Sequence, residues 1–143
     1  MKNKLLLLIA MLLSSVFTAY AQPKTKIELK DNWYYLNGQK FFIKAIGYEI
    51  GARPGQHPYE GNRADDLDLL KFDLKVIKEG GYNTIRTWSQ FTEAQLKLVQ
   101  ESGLKLIMGI DVNPEGNYAD PAFVKECVDK VKTVTAYAKK YDC

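Results

Sequence analysis

Hydrophobic and polar residues alternate from Lys26 to Leu36, a period of two that is typical of a half-buried β-strand. Asn37-Gly38 follows, and this pair favours a two-residue hairpin turn because both positions accept a positive φ. The return strand, Lys40 to Ile46, begins with the same alternation and becomes a continuous apolar run. We therefore predict an edge hairpin whose second half continues as the first strand of a larger sheet.

Three later segments are predicted to be helices, and each carries residues that begin or end helices. In the first, apolar residues recur at helical spacing, at Leu67, Leu70, Leu74 and Ile77. Side chains that accept hydrogen bonds from free backbone N–H groups favour the beginnings, and glycine favours the ends. The predicted beginnings are Asp65 or Asp66, the capping box of Thr92 and Gln95, and Asp120-Pro121; the first two helices end at Gly80-Gly81 and Gly103. One face of the third helix is apolar, at Val124, Cys127, Val128, Val131 and Val134.

Two further strands are predicted between the helices, at Tyr82 to Trp88 and at Leu104 to Val112. The alternation of strand and helix favours an α/β architecture in which parallel strands are joined by helical crossovers. The last strand is apolar on both faces, as a covered parallel sheet requires. Three βα units do not close a (β/α)8 barrel, which needs about 250 residues, and a doubly wound sheet usually has more strands. We therefore expect an incomplete sheet and a chain that is a fragment.

The first 21 residues have the pattern of a secretory signal peptide. Lys2 and Lys4 precede the apolar run Leu5 to Leu13, and Ala19-Tyr20-Ala21 is a small-x-small cleavage site. The run is too short for a membrane span, which takes roughly 20 residues. The sequence predicts an exported protein, periplasmic or extracellular, with no membrane attachment after cleavage.

The net charge bears on whether the protein binds nucleic acid, and the positions of the two cysteines bear on whether they form a disulfide. Removing Lys2 and Lys4 from the 20 basic residues leaves 18 against 17 acidic residues, a net charge near +1. Because the lysines are scattered among acids, the sequence argues against nucleic-acid binding. Cys127 and Cys143 lie at opposite ends of one predicted helix, on the order of 20 Å apart. A disulfide needs Cα atoms within about 7 Å, so these two cysteines are not expected to pair with each other.

Candidate chemistry follows each of the three predicted strands, because functional groups of α/β folds gather at the carboxyl ends of strands. Tyr48 and Glu49 follow the first strand, Arg86 and Trp88 end the second, and Asp111, Asn113 and Glu115 follow the third. Arg86 either holds an active-site carboxylate ionised and oriented, or caps a loop and reaches solvent.

Each of the other candidates has a functional and a structural interpretation. Trp88 is either a stacking platform for a sugar ring or a packing residue at the rim. Tyr48 offers a hydroxyl donor on an apolar ring; Asp111 is either a hydrogen-bond acceptor for substrate or the residue that begins a loop. His57 is the only histidine, in a polar loop, and is expected to face solvent. No motif for a metal, nucleotide or other cofactor occurs, so none is predicted.

Three segments in order resemble retaining glycoside hydrolases of the large (β/α)8 clan. LNGQKFFIKAIGY, from Leu36 to Tyr48, is similar to the NGKPFFIKGVNY lead-in of that clan. GGYNTIRTW, from Gly80 to Trp88, resembles its second strand, and SGLKLIMGI, from Ser102 to Ile110, resembles its third. The family 2 catalytic barrels and the β-1,3-glucanosyltransferases are the most similar in pattern. In these families the third strand often ends like the segment from Ile110 to Pro114. Tyr48 and Trp88-Ser89 depart from the family 2 pattern, in which histidines are usual.

The resemblance implies the first three βα units of an incomplete (β/α)8 barrel in residues 41–143, preceded by the hairpin of residues 22–40. It implies a retaining mechanism with two carboxylates about 5 Å apart, which such enzymes place after strands four and seven. Neither carboxylate is expected in this chain; Arg86 is the orienter of the absent nucleophile, and Tyr48, Trp88, Asp111 and Asn113 are the candidate substrate-binding residues. The expected partner is a polysaccharide or oligosaccharide.

Two alternatives stay open. A non-catalytic, exported carbohydrate-binding or scaffold protein could be built on a partial barrel. A small flavodoxin-like binding domain is the third reading of the pattern, but it needs a phosphate-cradling first turn, which the segment Gly47 to Arg63 does not resemble.

Overall fold

A computed structural model describes residues 24–51 and 65–143 of the chain. The predicted signal peptide, at residues 1–21, and His57 lie outside the described residues. The described part contains two three-stranded sheets and three helices.

The first sheet is an antiparallel meander of β1 (Ile27–Lys30), β2 (Trp33–Leu36) and β3 (Gln39–Phe41) in the order β1-β2-β3. Ile27 pairs with Leu36 in the first ladder, and Leu36 pairs with Gln39 in the second. The predicted hairpin is therefore present, with one strand more than the sequence indicated.

Both connections of the meander are two-residue turns with positive φ at each position. The predicted turn at Asn37-Gly38 has φ of 51° and 79°. The prediction of one strand from Lys26 to Leu36 is wrong, because Asp31 and Asn32 have φ of 52° and 62° and turn the chain between β1 and β2. Asp and Asn tolerate this left-handed conformation better than other residues with a Cβ atom, so a second hairpin of the same kind forms here.

The second sheet is parallel and consists of β4 (Ala45–Gly47), β5 (Thr84–Arg86) and β6 (Lys105–Ile107) in the order β4-β5-β6. The helices are α1 (Leu67–Glu79), α2 (Glu93–Ser102) and α3 (Pro121–Ala138). The first lies between β4 and β5, the second between β5 and β6, and the third follows β6. The predicted α/β alternation with parallel strands is confirmed.

The last strand is shorter than the predicted Leu104 to Val112. Pairing with β5 extends as far as Gly109, whose N–H donates to the Thr87 carbonyl at 3.1 Å. Two residues later, the Asp111 N–H donates to the Gln90 side chain at 3.0 Å. The chain leaves the sheet here because a side chain of the neighbouring loop, and no longer a strand, accepts its hydrogen bond.

The helix ends follow the predicted capping chemistry. Asp66 accepts a hydrogen bond from the Leu69 N–H at 2.9 Å at the beginning of α1. The end of α1 is a Schellman motif, in which the Tyr82 N–H donates to the carbonyl of Ile77 and the Gly81 N–H to that of Lys78. Both hydrogen bonds of the Thr92 and Gln95 capping box are present, Gly103 ends α2 with φ of 75°, and Asp120 with Pro121 begins α3.

One face of the parallel sheet is covered. The other is open at the carboxyl ends of the strands, although Thr84 on this face is 2% exposed. Ile46, Ile85 and Leu106 pair across the strands and pack with the core that α1 and α2 form over them, at Leu70, Leu74, Leu96 and Val99. The alternate residues Gly47 and Arg86 are exposed on the opposite face, and Ile107 is 46% exposed. The sheet thus differs from the doubly covered arrangement expected of an all-parallel sheet.

The apolar face of α3 is also largely uncovered. Val134 is 4% exposed, but Val124, Val128 and Val131 each keep about two fifths of their surface in solvent. The sequence pattern correctly indicates a helix with an apolar face. The described residues bury this face at Val134, near the end of the helix, and leave it exposed at the three earlier valines.

The segments at 24–26 and 139–143 are joined beside β6 by a polar clamp. The Thr25 N–H and hydroxyl donate to the two Asp142 carboxylate oxygens at 3.1 and 2.7 Å. Lys105 Nζ lies 3.8 Å from Asp142 Oδ1 and donates to the Asp142 carbonyl at 3.3 Å. The clamp fixes the position of the meander relative to the parallel sheet.

Both cysteines are free and half-buried, and Cys143 packs against the core. Burial raises the pKa of the Cys143 thiol to about 11, so roughly one thiol in a thousand is ionised at pH 8. We expect iodoacetamide to alkylate Cys143 on the order of a hundredfold more slowly in the native protein than in urea, where the thiol regains a pKa of about 8.5. Mass spectrometry of the Cys143 peptide measures both rates, and equal rates would contradict the burial of this thiol.

Candidate functional site

The carboxyl ends of the three parallel strands lie level with one another. Gly47 is the register partner of Arg86, and Arg86 is the register partner of Ile107. The Tyr48 N–H donates to the Arg86 carbonyl at 2.9 Å, so the residues after β4 remain beside β5. The predicted clusters after the first and second strands are thus neighbours at this edge.

Arg86 is exposed on the open face of the sheet, and its guanidinium contacts an aromatic ring. Its Cζ atom lies 4.6 Å from the centre of the Trp88 ring, which is within the range of a cation–π interaction. Among residues 24–51 and 65–143, no carboxylate forms an ion pair with Arg86. The observed partner of this guanidinium is therefore Trp88, where a carboxylate was expected.

Trp88 is 44% exposed, and its indole lies between Arg86 and the end of β4. A Cβ atom at Gly47 would be only 2.6 Å from Cη2 of the indole. The absence of a side chain at Gly47 therefore leaves the space that the indole occupies. The ring thus packs against the end of β4 and still presents part of its surface to solvent.

Glu49 fixes the backbone that carries Trp88, a role that the sequence did not indicate. Its Oε1 atom accepts hydrogen bonds from the N–H groups of Trp88 and Ser89 at 2.6 and 3.0 Å. The Ser89 hydroxyl lies 3.3 Å from Oε1 and 3.1 Å from Oε2. The only indication in the sequence was that a carboxylate lies three residues after the predicted strand Lys40 to Ile46 and a serine directly after the predicted strand Tyr82 to Trp88.

Tyr48 is directed towards the helical side of the sheet. Its hydroxyl donates to Asp73 Oδ2 of α1 at 2.9 Å, and its ring packs against the core. Burial, and after it the hydrogen bond to Asp73, raises the pKa of Tyr48 well above its ordinary value. The sequence predicted that the Tyr48 hydroxyl would donate a hydrogen bond to substrate, but this proton is donated to Asp73. The Tyr48 oxygen can therefore only accept a hydrogen bond from another group.

Asp111 and Asn113 do not lie beside Arg86 and Trp88. They line a separate cleft of about 390 Å³ between α3 and the loop that follows β6. Lys130 Nζ of α3 lies 3.8 Å from Asp111 Oδ2. The side-chain oxygen of Asn113 accepts a hydrogen bond from the Glu115 N–H at 3.0 Å, and the backbone carbonyl of Asn113 accepts one from the Tyr118 hydroxyl at 2.9 Å. Asn113 therefore shapes the loop, whereas Asp111 presents an exposed carboxylate beside a lysine.

The arrangement suits binding of a polar ring better than proton transfer by the described residues. Arg86 supplies hydrogen-bond donors and Trp88 a partly exposed aromatic surface, which together match hydroxyl groups and an apolar ring face. Three of the nearby carboxylates are engaged by other groups: Glu49 by the backbone, Asp73 by Tyr48 and Asp111 by Lys130.

Within the described residues, no group of three or more His, Cys, Asp or Glu side chains is placed to hold a metal ion. None of the helices in residues 24–51 and 65–143 has the length and apolar character of a membrane span. In comparisons with known proteins, the chain matches no protein-family model, no curated protein and no solved structure.

Proposed function

We propose that residues 41–143 form the first three βα units of a (β/α)8 barrel in an exported glycoside hydrolase or transglycosidase. The supporting observation is a parallel sheet in chain order whose open face carries Arg86 at the carboxyl end of β5. In such barrels the active site lies at the carboxyl ends of the strands. The apolar surface left uncovered on α3 and on Ile107 is what further βα units would bury.

The proposed mechanism is a retaining one, with a nucleophile and an acid/base supplied by carboxylates from later strands. Arg86 would turn from Trp88 to hydrogen-bond the nucleophile and keep it ionised, since a guanidinium favours the charged form of a carboxylate. Trp88 and Asp111 would contact the glycan. Because both catalytic carboxylates would come from later strands, the chain by itself is proposed to have no turnover.

A non-catalytic carbohydrate-binding protein is the second candidate, and one observation favours it. Arg86 is already paired with Trp88, and the two side chains form an exposed platform. A site that binds a glycan and performs no chemistry needs nothing more than such a platform.

Glycan binding by Trp88 is tested with a matched pair of tryptophan variants. Trp33 of the meander is 42% exposed and has Lys40 Nζ 4.8 Å from its ring centre, so it resembles Trp88 in exposure and in its cation. We expect W88A to weaken binding of soluble β-1,3-glucan oligosaccharides, or of another soluble glycan from a panel, by about tenfold, or 1.4 kcal/mol. W33A is expected to bind like the wild type. Calorimetric titration measures both, and no glycan binding by the wild type would contradict the proposal.

The two candidates are separated by the coding sequence after codon 143 and by an activity assay. An open frame that encodes an apolar strand ending in Asn-Glu supports the glycosidase, and a stop codon there supports the binding protein. Release of reducing sugar by the chain as given would contradict the assignment of the catalytic carboxylates to later strands.

A further inference from the structure

We propose that Glu49 is a positioning residue, which holds the Trp88-Ser89 segment so that Trp88 forms one wall of a sugar-binding subsite. The subsite rests on the proposed function. The positioning role stands on contacts that are independent of any ligand.

The contacts of Glu49 converge on one short segment. Two successive backbone N–H groups, of Trp88 and Ser89, donate to the same carboxylate oxygen at 2.6 and 3.0 Å. The Ser89 hydroxyl lies within hydrogen-bond distance of both oxygens. An ionised carboxylate only accepts hydrogen bonds, and bonds to a charged acceptor are shorter and stronger than neutral ones. Glu49 therefore fixes the direction in which Trp88 leaves the strand.

The other side of the segment is held by the chain that follows β6. The Gly109 N–H donates to the Thr87 carbonyl at 3.1 Å, and a Cβ atom at Gly109 would lie 2.2 Å from the Trp88 carbonyl oxygen. The Thr87 hydroxyl donates to the Ser89 carbonyl at 2.8 Å. The backbone of Trp88 is thus confined between Glu49 and Gly109, and its indole is the part that extends towards solvent.

Other structural roles for Glu49 are already taken by different residues. The helix α2 begins with its own capping residue, Thr92, so Glu49 is not needed as a cap. Within the described ranges, Glu49 forms no ion pair with a lysine or arginine. The hydrogen bonds that Glu49 accepts from residues 24–51 and 65–143 come from Trp88 and Ser89.

The experiment uses the W33F protein, in which Trp88 is the only tryptophan. E49A removes the acceptor, and E49Q keeps an acceptor oxygen without charge. E93A is the control, since the Glu93 carboxylate accepts its hydrogen bonds from Lys140 and from the Tyr141 hydroxyl. We expect exchange of the Trp88 amide proton, followed by NMR, to be about tenfold faster in E49A, intermediate in E49Q and unchanged in E93A. Acrylamide quenching of Trp88 fluorescence is expected to increase in the same order.

Unchanged exchange and quenching in a folded E49A protein would overturn the positioning role. If E49A does not fold, the E49Q protein provides the test, because loss of the charge alone is expected to accelerate exchange of the Trp88 amide proton. Exchange at the wild-type rate in E49Q would then overturn the positioning role. For glycans that the wild type binds, E49A is expected to weaken binding about as much as W88A, and wild-type affinity in E49A overturns the subsite. If the wild type binds no glycan, both the proposed function and the subsite are contradicted. Amide exchange at Trp88 still tests the positioning role of Glu49, because that experiment needs no ligand.

Discussion

Replacing Leu70 with alanine is expected to lower the free energy of unfolding by about 2–5 kcal/mol. Leu70 lies on α1 and is completely buried against the covered face of the parallel sheet. Its truncation removes apolar contacts and leaves a cavity that the surrounding side chains fill only in part. Urea denaturation followed by circular dichroism measures the change.

Phe72 provides the control on the same helix, since it is 63% exposed. The F72A protein is expected to differ from the wild type by no more than about 0.5 kcal/mol, as is usual for surface substitutions. Equal losses in the two variants would mean that the core does not lie on the face of α1 that carries Leu70.

Gly109→Ala is expected to have the second largest effect, a loss of about 1–3 kcal/mol of stability. The added Cβ atom would lie 2.2 Å from the Trp88 carbonyl oxygen and 2.8 Å from that of Thr87. These are backbone atoms next to β5, so the two chain segments must separate and the hydrogen bond from Gly109 to Thr87 must lengthen. The same urea titration measures the loss.

Gly47→Ala is the informative comparison. The Cβ atom would meet Cη2 of Trp88 at 2.6 Å, but this is the end of a side chain that can rotate away. We expect a smaller loss of stability than in G109A, together with a shift in the fluorescence of Trp88. A G109A protein within about 0.5 kcal/mol of the wild type would contradict the close approach of the backbone there.

The local features of the fold could be predicted from the sequence because neighbouring residues determine them. The Thr92 and Gln95 capping box and the glycine after each of the first two helices act within a single turn of chain. The turn at Asp31-Asn32 was missed because apolar residues continue the strand pattern on both sides of it. The length of β6 was overestimated because the pattern cannot show that a Gln90 side chain takes over the hydrogen bonding.

The sequence predicted that Arg86 and Trp88 lie at the end of a parallel strand, but it did not predict most of their contacts. Strand ends located Arg86 and Trp88, because the carboxyl ends of parallel strands must meet at one edge. The contact between Glu49 and Trp88 joins residues 39 positions apart, and no periodicity indicates which loop atoms meet across two strands. The direction of the Tyr48 hydroxyl depends equally on where α1 places Asp73.

The clamp between Thr25 and Asp142 joins residues 117 positions apart, whereas the hairpin turns and helix caps join residues a few positions apart. Closing so long a loop costs more chain entropy than closing a turn, so local elements form first and such a contact forms late. Contacts absent from the folding transition state act mainly on the rate of unfolding. We therefore expect the clamp to determine how long the native state persists once it has formed, more than how quickly it is reached.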